Sequence, residues 1–355
     1  MAGISRAAKP RGSVCERKQQ SCYRCLVHDL TEFGWDARWE AAFAPHLAEG
    51  RVPARVSIEF NHIYRVAAAS GDVRAEQAGR MRHRASGRHE LAAVGDWAAV
   101  RPSADGTSGT IEAVLPRRSH FSRKVAGELT EEQVVAANID VVFLVMGLDR
   151  DYNPRRLERY LLLAFESGAQ PVVLLTKADL IDDAAVRVEE IQLLAPTVPV
   201  HAISAPQDVG LDVVLGHLER GRTGALLGSS GVGKSTLINA LVPDAQRAVG
   251  VVSGVGKGQH TSSSAIALPL PDGDGWVIDT PGVRSFGLAH VSADDLLWAF
   301  PDLEDGATQC PPGCEHLSAA AGCKLDSWVA TGHSTPDRLD AFRRLLASRS
   351  VADTT

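Results

Sequence analysis

The chain has 355 residues, 45% of them hydrophobic, and a net charge of -6 at neutral pH. That length exceeds what a single core usually serves, so two or three domains are expected. The longest clean apolar run, VVFLVMGL at 141–148, is too short to cross a bilayer, which excludes a membrane-spanning helix.

Arg6, Lys9 and Arg11 stand near the start with no apolar stretch after them, so no secretory leader is expected and the protein is placed in the cytoplasm. Residues 1 to about 30 lack periodicity and read as an unstructured extension, in which Cys15, Cys22, Cys25 and His28 match no metal-binding spacing. From Trp35 to Leu47, WDARWEAAFAPHL carries apolar residues at helical spacing, and Gly50 ends the helix.

From Val52 to about Lys124 the pattern changes to short alternating runs, RVSIEF, IYRVAAA, GDVRAEQ, WAAVRP and GTIEAVLP, the signature of a small β-barrel. Between Arg51 and Lys124 there are thirteen Lys and Arg against seven acids, an excess of six positive charges inside an acidic protein. The densest part, RMRHRASGRH at 80–89, reads on its own as a solvated loop. On a barrel of oligonucleotide-binding type the same residues would contact phosphates.

Between Ala136 and about Ser285, buried-strand runs alternate with helical patterns, which predicts a parallel sheet wrapped by helices. Each polar or glycine-rich motif follows a strand, the end at which such sheets bind ligands. GSSGVGKST runs from Gly228 through Ser229, Ser230, Gly231, Val232, Gly233, Lys234 and Ser235 to Thr236 and fits the phosphate loop. Its backbone N–H groups would cradle the β-phosphate, Lys234 would neutralise the β- and γ-phosphates, and Ser235 would hold Mg²⁺.

TKAD, comprising Thr176, Lys177, Ala178 and Asp179, follows the strand PVVLL. Asp179 can accept from the ring N–H and exocyclic amine of guanine, a donor pair that adenine lacks. Thr176 stands where Asn is commoner, and Lys177 would lay its stem across the base. Ser204 and Ala205 follow the next strand, with the Ala205 N–H placed for the guanine carbonyl. Asp279 ends WVID and suits Mg²⁺ through water, while Gly282 offers an N–H to the γ-phosphate. In the intervening GVGKGQHTSSS, either Thr261 or Ser262 is expected to complete the Mg²⁺ shell.

Cys310, Cys314, His316 and Cys323 supply three thiolates and one imidazole, a closed tetrahedral donor set that reads as one structural zinc site. No position is left open there for chemistry.

The order TKAD, SA, GSSGVGKST, GQHTSSS, DTPG, with a basic barrel before it and a Cys/His cluster after it, closely resembles the circularly permuted GTPases of the RsgA (YjeQ) family. The resemblance spans about residues 35 to 345. It implies a multidomain α+β chain: an N-terminal extension over 1–50, partly disordered; a basic OB-type barrel over 51–124; a circularly permuted P-loop α/β GTPase domain over 125–288; and a small α-helical zinc domain over 289–355. It further implies a monomer that binds the immature small ribosomal subunit and its rRNA, hydrolyses GTP to GDP on it, and then leaves. The family usually shows Arg-His-Thr-Thr-Thr where this chain has Gln259-His260-Thr261-Ser262-Ser263, and its matching histidine makes His260 the candidate catalytic residue. The Gln that Ras-like enzymes use to orient water is replaced here by Val283, which can neither donate nor accept. In the family the first two cysteines are commonly separated by four residues and the His from the last by five; this chain has three and six.

The permuted order preserves the site in space while moving a chain end to just after DTPG, since a fold tolerates new termini where the chain is exposed. Two other readings compete with a GTPase timed by the ribosome. One is an RNA-binding module whose nucleotide merely switches its shape, with negligible hydrolysis; the other is a P-loop kinase or ATPase, which TKAD disfavours.

Overall fold

A computed structural model describes residues 29–60, 62–124, 132–219, 221–243, 265–271, 275–280, 297, 300–317 and 322–351. Leu30–Phe33 form a 3-10 turn, after which Asp36 caps helix α1 (Ala37–Leu47) by accepting from the N–H groups of Arg38 and Trp39. Trp39 and Phe43, four residues apart on one face, are both buried, and α1 packs against the barrel.

The barrel comprises β1 (Val52–Phe60), β2 (Ile63–Ala68), β3 (Gly71–Gln77), β4 (Trp97–Pro102) and β5 (Ser108–Val114). The strands run β1-β2-β3-β5-β4, with β3 parallel to β5, and β4 pairs back onto β1 to close the ring. Ala54, Val56, Tyr64, Val66, Ala98, Val100 and Ile111 fill the interior. The RMRHRASGRH segment is not simply a loop: Gly79–Arg84 form a short helix, α2, whose half-buried Met81 packs on that core. Its Arg80, Arg82, His83 and Arg84 are all exposed.

A hairpin of β6 (His120–Lys124) and β7 (Glu132–Ala137) leads to the second sheet. There β8 (Val141–Gly147), β9 (Gln170–Thr176), β10 (Val200–Ala202), β11 (Thr223–Leu227) and β13 (Trp276–Asp279) run parallel, with β12 (Ile266–Pro269) antiparallel at the end of the order β10-β9-β8-β11-β13-β12. Helices α3 (Pro154–Glu166), α4 (Ala184–Leu194), α5 (Leu211–Gly216) and α6 (Lys234–Leu241) cover it. β12 also pairs with β1 at Ile58 and Ile266, so the barrel and the parallel sheet are hydrogen-bonded into one continuous ribbon.

Arg55 on β1 fastens the same junction. It is 3% exposed and donates to the carbonyls of Phe33 (2.6 Å), Gly95 (3.3 Å) and Asn138 (3.3 Å) and to the hydroxyl of Thr223 (2.7 Å). The rings of Trp97 and Trp276 flank its guanidinium at 5.7 and 5.6 Å. Burial pushes its pKa down to about 10, with Asp140 and Asp96 opposing the shift.

The C-terminal part contains α7 (Pro301–Ala307), α8 (Leu325–Ala330) and α9 (Pro336–Val351). Leu339, Phe342 and Leu346 line the buried face of α9, and Phe300 meets Phe342 edge-on at 5.5 Å. The part docks on the parallel sheet's helices through Arg344 to Glu158 of α3 (3.1 Å) and Arg338 to the Leu194 carbonyl of α4 (2.8 Å). Among the described residues no helix is long and apolar enough to cross a membrane.

Candidate nucleotide site and cysteine cluster

The parallel register brings the motif-bearing strand ends to one edge. Gly147 of β8 pairs with Thr176 of β9, Leu175 with Ala202 of β10, Leu144 with Leu227 of β11, and Leu226 with Asp279 of β13. The loops carrying TKAD, Ser204-Ala205, the phosphate loop and Asp279 therefore leave the sheet side by side.

Backbone geometry explains the loop's glycines. A Cβ at Gly228 would lie 2.4 Å from the Val145 carbonyl oxygen, and Gly233 has φ +102°, which other residues rarely adopt. Gly233 caps α6, which begins at Lys234; Ser235 and Thr236 in its first turn are exposed. The Lys234 ammonium donates to the carbonyls of Gly228 (2.7 Å) and Ser229 (2.6 Å), which leaves the third of its three hydrogens for a phosphate. Burial pushes Lys234 down and Asp279 up, and each charge opposes the shift of the other.

Thr176 performs a connecting role. Its buried hydroxyl donates to the Val232 carbonyl at 2.5 Å, tying the TKAD loop to the GSSGVGKST loop. Lys177, in the left-handed region at φ 62°, donates to the Gly231 carbonyl (2.7 Å) and pairs with Asp149 (2.6 Å). Asp179 accepts from the Ser204 hydroxyl at 2.6 Å, which fixes one carboxylate oxygen and leaves the other lone pairs for a base. The Ala178 N–H donates to the Ile203 carbonyl, and Ala205 opens a 3-10 turn directly after Ser204.

Three residues not singled out in the sequence support these loops: Asp149 pairs with Lys177, Arg156 reaches the Ser229 hydroxyl, and Asp151 pairs with Arg156. They follow β8 in GLDRDYNPRR, and their signal was the position of that charged run at the ligand end of a buried strand. His260, Thr261, Ser262, Gly282 and Val283 lie outside the described residues, as do Cys15, Cys22, Cys25 and His28.

At the C-terminal end, the ligand atoms of Cys310, Cys314, His316 and Cys323 all lie within 4.8 Å of one another. Arg343 donates to the His316 carbonyl at 3.1 Å, and the Lys324 N–H points at Cys310 Sγ at 3.2 Å. Three sulfurs and an imidazole converging from two separate turns form a donor set that can hold a metal ion, and one suited to zinc.

Residues 114–289 match the family described as RsgA GTPase. A protein of Opitutus terrae named "Small ribosomal subunit biogenesis GTPase RsgA" is 41% identical over 333 residues, covering 91% of this chain and 90% of its own. The chain belongs to the RsgA GTPase family. A Streptomyces avermitilis RsgA of the same name is 40% identical over 336 residues, covering 92% of this chain and 88% of its own. The fold of this RsgA-family chain is that of YjeQ from Thermotoga maritima, with TM-score 0.65 at 23% identity over 84% of this chain and 99% of the other. It is likewise that of YloQ, a circularly permuted GTPase, with TM-score 0.61 at 22% identity over 85% and 96%. The family, the basic five-stranded barrel, the permuted order of nucleotide motifs and the cysteine cluster were all legible in the sequence.

Proposed function

We propose that this chain binds the small ribosomal subunit late in its maturation, hydrolyses GTP there at a rate the subunit stimulates, and leaves on hydrolysis. The observation that carries the reading is the meeting of TKAD, Ser204-Ala205, the phosphate loop and Asp279 at one sheet edge, in a chain whose barrel is joined to that sheet. Relatives named "Small ribosomal subunit biogenesis GTPase RsgA" support the reading of a GTPase that works on that subunit.

Residues 51–124 serve as the RNA-binding barrel, 125–288 as the GTPase and 289–355 as the zinc-bound helical part, in a monomer acting in the cytoplasm. Asp179 reads guanine and Ala205 its carbonyl; Gly228 to Thr236 hold the phosphates. The oxygens of Ser235 and Asp279, with Thr261 or Ser262, suit Mg²⁺, which supplies charge neutralisation at the phosphates. Gly282 donates to the γ-phosphate and His260 orients the attacking water. Zinc at the cysteine cluster has only a structural part to play.

The test is turnover of GTP and of ATP with and without purified small subunits, alongside co-sedimentation with the subunit in GTP, GDP and a non-hydrolysable analogue. The expected result is GTP-selective turnover that rises with small subunits and a complex that persists with the analogue. Slow turnover unchanged by subunits would leave a nucleotide-switched RNA-binding module, and ATP preference would sink the base-reading assignment. His260→Ala is expected to keep binding and lose most of the stimulated turnover.

A further inference from the structure

Ser229 is gripped at both its carbonyl and its hydroxyl. Its carbonyl accepts from Lys234 Nζ at 2.6 Å, beside the Gly228 carbonyl at 2.7 Å. Its hydroxyl lies 2.5 Å from Arg156 Nη1 and 3.3 Å from the Tyr160 hydroxyl. Arg156 and Tyr160 sit one turn apart on the same face of α3. Asp151 pairs with the same Nη1 at 2.5 Å, and Asn153 caps the helix by accepting from the Arg156 N–H at 3.2 Å. Asp151, Arg156, Ser229 and Lys234 thus form an unbroken line from the start of α3 to the phosphate-binding ammonium.

We propose that Arg156 is a positioning residue for GTP, acting through Ser229 to aim Lys234 at the phosphates. An ammonium has three hydrogens, and when two are committed to carbonyls the direction of the third is fixed by where those carbonyls stand. The Ser229 carbonyl is one of the two, and the hydroxyl of the same residue is bound to a charged donor, the stronger kind of hydrogen bond. Rotation of the Ser229 peptide would swing Lys234 off the phosphate, and the Arg156 contact opposes that rotation. Lys177 holds the opposite flank of the loop at the Gly231 carbonyl, so the loop is clasped at two points by cations that are themselves set by Asp151 and Asp149. Arg156 itself needs no contact with nucleotide.

The helix does not depend on this arginine. Its side chain is 35% exposed, and a half-exposed ion pair with Asp151 adds little to stability, so Arg156→Ala should fold. The experiment compares the parent with Arg156→Ala, Ser229→Ala, the double variant and Arg156→Lys. The readouts are GTP KM and kcat without ribosomes, GDP affinity with a fluorescent analogue, and Tm. Each alanine variant should raise KM and weaken GDP binding on the order of tenfold, the loss expected of one charge-assisted bond. The double variant should be no worse than either single, and Arg156→Lys should recover part of the loss at unchanged Tm. Multiplying losses, a parent-like KM in Arg156→Ala, or no recovery by lysine would overturn the proposal. If Arg156→Ala proves unstable, Tyr160→Phe removes only the second contact to the same hydroxyl; its smaller loss should vanish in the Ser229→Ala background, and persistence there overturns the proposal equally. The inference rests on Lys234 as phosphate ligand, which Lys234→Ala checks separately: parent-like nucleotide binding in that variant would sink the nucleotide site as a whole, whereas additive Arg156 and Ser229 losses would sink only the positioning role.

Discussion

The hydroxyl of Thr176 donates to the carbonyl of Val232, joining the loop expected to read the base to the loop expected to hold the phosphates. The longer Asn that is commoner at this place presents a donor on a longer arm; the short threonine reaches because a Cβ on Gly233 would approach to within 3.5 Å of its Oγ1, so the two loops already lie close. Thr176→Val keeps the volume and strands a buried carbonyl, a change that costs about 1–3 kcal/mol. Guanine-nucleotide affinity should fall roughly tenfold, with the fold retained. Titration of a fluorescent GDP analogue against parent and variant checks it, and equal affinities would show that the bridge carries no binding energy.

Asp179 and Ser204 make a second such pair at 2.6 Å. Because the serine engages one carboxylate oxygen, the proposed reading leaves the other for the donors on guanine. Asp179→Asn should lose GTP affinity and gain affinity for xanthosine triphosphate, whose carbonyl can accept from the new amide. Competition binding with both nucleotides reads the exchange, and an Asn variant that still prefers GTP would remove TKAD from base recognition.

How far these features could be read from the chain depends on how local their causes are. The five barrel strands were legible because β-turn residues and alternation mark each one, and the phosphate loop because its glycines answer to backbone geometry within nine residues. Arg55 was not: in RVPARVSIEF it looks like an outward-facing cation, yet residues 54 to 58 of β1 are buried on both faces, because one side lines the barrel and the other meets the Leu30–Phe33 turn and β11. β12 was missed for a similar reason, since four residues of apolar sequence do not say that they will pair with β13 on one side and Ile58 on the other. Helix α2 was read as a loop because, among the described residues, the apolar contact it makes with the barrel core is through Met81 alone. The place of Arg156 depends on residues 73 positions away, which no local pattern encodes.

Acid sensitivity of the barrel should centre on Glu112. Hydrogen bonds from Arg101, then from Arg51, with Arg80 also close, hold its pKa down to about 2 from 4.5, against the opposing effect of burial. A carboxylate depressed on folding stabilises the fold above its unfolded pKa and loses that contribution as pH falls towards the folded value. Glu112→Gln should therefore be less stable than the parent at pH 7, with the gap narrowing steadily below about pH 4.5. Urea unfolding at a series of pH values measures it; a gap that does not shrink in acid would mean that the arginines do not act through charge.

The exposed arginines of α2 test the proposed RNA contact. Within 4 Å neither Arg82 nor Arg84 makes an ion pair or side-chain hydrogen bond with another described residue, whereas Arg51, Arg80 and Arg101 are engaged by Glu112. Phosphate contacts release counterions, so removing them weakens binding and flattens its salt dependence. Arg82→Glu with Arg84→Glu and Arg88→Glu should weaken co-sedimentation with small subunits and reduce the slope of affinity against salt, while GTP affinity in free solution stays at the parent value. Unchanged sedimentation would return this helix to the role of a solvated cap on the barrel.

The cysteine cluster makes the last prediction. Its four ligand atoms come from turns on either side of residues 318–321; Cys310, Cys314 and Cys323 are each half-buried and His316 is buried. A small helical unit gains from a staple, and three thiolates with an imidazole close the tetrahedron that zinc prefers. Metal analysis should find about one zinc per chain. Cys314→Ala, or chelation of the parent, should release it and loosen α8 and the middle of α9, where Arg343 ties the His316 carbonyl to Asp326. Because α9 is fastened to α3 through Arg344 and Glu158, the loosening should reach α3 as faster amide exchange around Glu158, with β1 to β5 unaffected. A chain that carries no zinc as purified and keeps the same exchange pattern after chelation would show that the four residues meet without a metal.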